Sequence, residues 1–70
     1  MRSTIKYFPH KLVIDTKEVQ IITGRKAGAA RNLMHNIRKA NNKGPKQFVT
    51  IEEFSKHTGI SESTIREAFQ

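Results

Sequence analysis

Apolar residues fall at helical spacing through the middle of the chain and at extended spacing near its start. Ala30, Leu33, Met34 and Ile37 recur at steps of three and four, which places them on one stripe of a helix running from about Ala27 to Ala40. Asn41, Asn42, Gly44 and Pro45 then supply stop signals. Residues 4–14, TIKYFPHKLVI, mix β-branched, aromatic and aliphatic side chains around Pro9. They predict an extended arm, or one short strand on either side of the proline. Phe48-Val49 is a second short extended stretch able to pair with it. The main role assigned to Ile5, Tyr7, Phe8, Leu12 and Ile14 is to cover a helical core, and Met1 to Ser3 form a frayed end.

Two stretches repeat at an offset of 35 residues: Asp15 to Met34, DTKEVQIITGRKAGAARNLM, and Thr50 to Phe69, TIEEFSKHTGISESTIREAF. Glu18 matches Glu53, Thr23-Gly24 matches Thr58-Gly59, and Arg31 matches Arg66. Val19 aligns with Phe54, Ala30 with Ile65 and Met34 with Phe69. Each unit opens with a capping box. Asp15 or Thr50 accepts from a free amide of the first turn, and the glutamate three residues on reaches back to the cap. Helices therefore start at about Thr16 and Ile51 and close at Gly24 and Gly59, where glycine tolerates a left-handed backbone. A second helix follows in each unit, the later one capped by Ser61 and running to about Phe69.

Two helices joined by a short glycine turn is the helix-turn-helix plan. Gly59-Ile60-Ser61-Glu62-Ser63-Thr64-Ile65 resembles the turn and recognition-helix start of many bacterial helix-turn-helix repressors. These commonly show glycine, an aliphatic residue, serine, two variable residues, threonine and an aliphatic residue. Phe54 sits where the family places a core residue, and Ser55 where it prefers alanine. The first unit is the looser match. Val19, Gly24, Ala30 and Leu33 fall in place, but Arg25 replaces the aliphatic residue after the glycine and Gln20 the small one. The expected fold is mostly α: one small domain of about four helices in two helix-turn-helix-like units, with a short N-terminal extended arm or strand. Its parts are an arm at 1–14, a first unit at 15–40, a basic linker at 41–49 and a second unit at 50–70.

Charge decides which unit to favour. The 70-residue chain carries a net charge of +7. Residues 1–16 contribute +2, residues 17–48 contribute +7 and residues 49–70 contribute −2. A field this positive draws polyanions, of which nucleic acid is the commonest inside a cell. A membrane surface is the rival, but the basic helix offers it only the Ala, Leu, Met and Ile side chains that a core needs. On that helix Arg31, Asn32, His35, Asn36, Arg38 and Lys39 lie away from the apolar stripe, with no acid among them. Arginine pairs bidentately with guanine, asparagine with adenine, and both cations hold phosphates. Ala27, Gly28 and Ala29 let the helix start approach the DNA backbone, with Arg25 and Lys26 adding charge there. Lys43 and Lys46 make the linker a candidate phosphate-contacting loop, which is also a solvated turn. By resemblance to the repressors, Ser61, Glu62, Ser63 and Thr64 would face the groove, with Arg66 assisting. That unit is net negative, so the first unit is the expected reader, and the second packs against it or forms a dimer contact through Phe69.

The expected function is sequence-specific binding of double-stranded DNA by a small transcriptional regulator. The alternatives are a DNA-bending, excisionase-like accessory factor of a mobile element or phage, and a protein-interaction module for an acidic partner. RNA binding is less favoured, because no exposed aromatic pair sits in a strand motif. A homodimer is a further candidate. No catalytic, metal or cofactor site is expected. The chain has no cysteine, His10, His35 and His57 are far apart, and no glycine-rich phosphate loop or nucleophile–base pair stands out. No apolar run reaches the ~20 residues of a membrane span, and Met1 to Phe8 lack a signal-peptide core. The expected location is cytoplasmic and nucleoid-associated, with no small-molecule substrate.

Overall fold

Two short strands lie side by side, and each leads straight into a helix cap. The computed structural model describes residues 12–69. The expectations for the arm before Leu12, including Ile5, Tyr7, Phe8 and His10, lie outside the described residues. Strand β1 (Val13–Ile14) pairs antiparallel with β2 (Val49–Thr50), with Val13 opposite Thr50 and Ile14 opposite Val49. The Ile51 amide donates to the Leu12 carbonyl at 2.9 Å and extends the ladder. Ile14 and Val49 are themselves equivalent under the 35-residue repeat. The register thus places a local two-fold through the pair from which both units begin.

From this ribbon the chain enters α1 (Thr16–Thr23) and α3 (Ile51–Thr58). Both capping boxes are complete. Asp15 accepts from the Glu18 amide at 2.8 Å and Glu18 accepts from the Asp15 amide at 3.0 Å. Thr50 and Glu53 repeat the exchange at 3.0 and 2.9 Å. Gly24 and Gly59 close the helices at φ 72° and 82°, where an L-residue would be strained. The matched threonines do matched work. Thr23 Oγ1 donates to the Val19 carbonyl and Thr58 Oγ1 to the Phe54 carbonyl, at 2.7 and 2.8 Å. Each hydroxyl also accepts from the amide just beyond the glycine, Arg25 or Ile60. The repeat is therefore chiefly a repeat of caps and turns.

Helix α2 (Ala27–Ala40) follows α1, and α4 (Glu62–Glu67) follows α3. α4 stops two residues short of the expected Phe69. There the Ala68 amide is shared between the Thr64 and Ile65 carbonyls and the Phe69 amide bonds that of Arg66, three residues back, so the last turn tightens. α2 ends in a Schellman motif with Asn42 in the left-handed position at φ 56°. The Lys43 amide bonds the Arg38 carbonyl at 2.8 Å and the Asn42 amide bonds that of Lys39 at 3.2 Å.

One apolar core serves every element. Ile14, Val19, Ala30, Met34, Ile37, Val49, Ile51, Phe54 and Ile65 are buried, and Ile22, Leu33, Ile60 and Phe69 pack against them. Val19 and its repeat partner Phe54 are both fully buried, as are Ala30 and Ile65. The strand pair contributes Ile14 and Val49 to this core. Leu12, expected to cover the core beside Ile14, is instead 68% exposed, since it lies one residue before β1, outside the paired residues. Neither unit buries a core alone, and α2 packs against α3 as well as α1.

Candidate nucleic-acid interface

Burying Ala30, Met34 and Ile37 turns the opposite face of α2 to solvent. Gly28, Arg31, Asn32, His35, Asn36 and Lys39 are all exposed there. At 3.6 residues per turn, Gly28, Asn32, His35 and Lys39 form the centre of this face. Arg31 borders it on one side and Asn36 on the other. The face carries three basic or titratable side chains, two amides and no carboxylate. Arg25 and Lys26, both exposed, continue it past the helix start. Among the described residues, no ion pair engages Arg25, Lys26, Arg31, Lys39 or Lys46.

The start of α2 is chemically compatible with an anion. Asp15, Thr50 and Ser61 cap the other three described helices with side chains. Lys26 caps α2 with no side-chain bond, and its first turn holds no acid. The amides of that turn add partial positive charge to two cations, and Gly28 leaves open space above them.

The run of seven cations from Arg25 to Lys46 is not uniform. Two members are drawn inward. Arg38 Nε donates to the Gln47 carbonyl at 2.8 Å, and Lys43 Nζ donates to the Phe48 carbonyl at 2.9 Å. Lys43 Nζ also lies 3.1 Å from Glu53 Oε1. Gln47 further closes the loop, its side chain accepting from the Gly44 amide at 2.7 Å and its own amide donating to the Gly44 carbonyl. The linker is thus a bonded turn held to α2 and to the cap of α3. Arg38 of α2 and Lys43 of the linker act as internal clamps, and of the linker's two lysines only Lys46 is exposed. Sequence reasoning placed all four of Arg38, Lys39, Lys43 and Lys46 at the surface. The division among them depends on the loop's path, which composition does not reveal.

Glu53 is the hub of this clamp. Burial pushes its carboxyl up, but the Thr50 amide and hydroxyl and the Lys43 ammonium outweigh burial and hold it below the ordinary glutamate range.

No family model, curated protein or solved structure matches the chain.

The face of α4 is different in kind. Ser61, Ser63 and Thr64 are exposed, but their hydroxyls are largely turned on one another. Ser61 Oγ accepts from the Thr64 amide at 3.2 Å, donates to Thr64 Oγ1 at 2.8 Å and lies 3.3 Å from Ser63 Oγ. Arg66 pairs with Glu62 at 3.6 Å, one turn away on the same helix. Thr23, Arg25, Leu33, His57, Thr58 and Ile60 line an open groove where the two glycine turns face each other. Among the described residues, no group of three or more His, Asp or Glu side chains is placed to hold a metal. Nor is any described helix long and apolar enough to cross a membrane.

Proposed function

We propose that this protein binds double-stranded DNA as a small transcriptional regulator, with α2 as the helix that enters the groove. The observation that carries the reading is the acid-free outer face of α2. It joins two phosphate-seeking cations, Arg31 and Lys39, to base-reading side chains, Asn32, His35 and Asn36, all exposed on one helix. That helix is the second of its unit, the position a recognition helix occupies in the helix-turn-helix plan. Arg25, Lys26 and the free amides of the first turn hold the phosphate backbone beside it. The second unit serves as the buttress. It shares the core, its serine and threonine hydroxyls cap its own helix, and its arginine is paired.

Titration of a fluorescent duplex of arbitrary sequence at several salt concentrations tests this. Five exposed cations, Arg25, Lys26, Arg31, Lys39 and Lys46, are available for phosphate contact. If each neutralises one phosphate, log K against log[salt] has a slope of about −4.5, and affinity falls roughly 500-fold between about 50 and 200 mM salt. A flat salt response, or no binding at the lowest salt, would leave the basic face to a protein partner and reject the reading.

A further inference from the structure

The side chain the fold explains least is Phe48. It is 73% exposed, while Val49 beside it is fully buried. A phenylalanine in solvent forgoes burial that would be favourable elsewhere in so small a chain. Nor is it loosely held. Arg38 bonds the carbonyl just before it and Lys43 bonds its own carbonyl, at 2.8 and 2.9 Å. The Gly44–Gln47 turn braces the loop from below. Two cations that could have met phosphates instead fix the backbone on both sides of an exposed ring.

The position of the loop indicates what the ring meets. Arg38 lies on the flank of α2 that also carries His35 and Arg31, one and two turns earlier. By holding Gln47, it sets the loop along the border of the proposed DNA face. Lys46, two residues from Phe48, is exposed, and no acid occurs between Arg25 and Ile51. A rigid loop with an outward aromatic ring and a neighbouring lysine has the chemistry of a wedge. In a wedge of this kind a cation binds phosphate while an apolar side chain enters between base pairs, unstacking a step and kinking the duplex.

We propose that Phe48 is such a wedge and that the protein bends the DNA it binds. The proposal rests on the DNA-binding reading of α2, and its test separates the two. The chain has no tryptophan, so Phe48→Trp introduces a single indole reporter. Acrylamide quenching of that indole is measured with and without a saturating duplex, whose binding is followed independently by anisotropy. End-to-end FRET on a doubly labelled duplex of ~25 base pairs reports a bend in the 20–90° range. The expected results are an indole protected by duplex, and a FRET gain that Phe48→Ala abolishes and Phe48→Leu retains. The salt slope stays unchanged in all three variants, since none removes a cation. Thermal unfolding of Phe48→Ala should match wild type, because the ring is not in the core. Binding with an indole that stays open to acrylamide, or with bending unaltered in Phe48→Ala, overturns the wedge and leaves the DNA reading intact. Protection that appears without DNA and grows with protein concentration overturns it in favour of a second copy of the chain. Absence of duplex binding by wild type defeats both readings together.

Discussion

Arg31 and Arg38 sit seven residues apart on the same helix, and the structure gives them different surroundings. Replacing each with alanine turns that difference into a measurement. Arg31 is exposed with no ion pair, so its removal should take away one phosphate contact and nothing else. One contact contributes about 0.9 to the salt slope. At roughly 0.1 M salt that is about 0.9 log units of affinity, or about eightfold, equivalent to ~1.2 kcal/mol. Its unfolding temperature should not move, as expected for a surface site without partners. Arg38 is half-buried and donates to the Gln47 carbonyl. Arg38→Ala removes a loop clamp of about 0.5–1.5 kcal/mol. The unfolding temperature should fall by several degrees, since ~1 kcal/mol is worth about 4–8 °C in a domain of this size. The salt slope should stay at its wild-type value. Fluorescence anisotropy on an arbitrary duplex at four or more salt concentrations supplies the slopes, and circular dichroism supplies the melting curves. Arg66→Ala, which breaks a pair with Glu62, is the control in the second unit and should leave the slope unchanged. Equal slope losses for Arg31→Ala and Arg38→Ala, or an Arg66→Ala loss matching that of Arg31→Ala, would refute the assignment of roles along α2.

The remaining predictions concern stability. The Glu53 carboxyl is held below its ordinary range in the folded protein, so its contribution is complete above the unfolded pKa and is lost as pH falls through the lower folded value. Melting curves from pH 6 to pH 3 should therefore show wild type more stable than Glu53→Gln at the upper end, with the gap closing in acid; a gap that widens on acidification contradicts the clamp. Glycine-to-alanine exchange should change sign with position. Gly28→Ala, on open helical backbone, should stabilise by up to about 1 kcal/mol. Gly59→Ala, at φ 82°, should cost about 1–2 kcal/mol, and urea midpoints of the two variants decide the matter.

What was legible in the chain is what depends on near neighbours. The capping boxes of Asp15–Glu18 and Thr50–Glu53, the left-handed glycines, the Ser61 cap and the Ala30–Met34–Ile37 stripe all arise within four residues of sequence. Hydrogen-bond geometry and helical period act over that range, so the helix starts could be placed from letters alone. The pairing of the arm with the stretch before Thr50 was visible as an option, because both are extended and apolar. Its register was not, since two residues of strand carry no alternation to specify one.

The sequence by itself determined four helices, two glycine turns and a cationic middle. Only the tertiary structure decided which cations remain outside. Arg38 and Lys43 look no different from Arg31 and Lys39 in composition or spacing. They differ because the chain turns back after Asn42 and brings the carbonyls of Gln47 and Phe48 within reach, with Glu53 arriving from another helix. Those partners lie five to ten residues away along the chain, beyond the range of local rules. The same turn leaves Phe48 in solvent while Val49 enters the core, a choice set by which strand face meets α2 and α3. Local hydrogen bonding wrote the elements into the sequence. The division of like residues between structure and surface came from the path of the loop, which exists only once the core has formed.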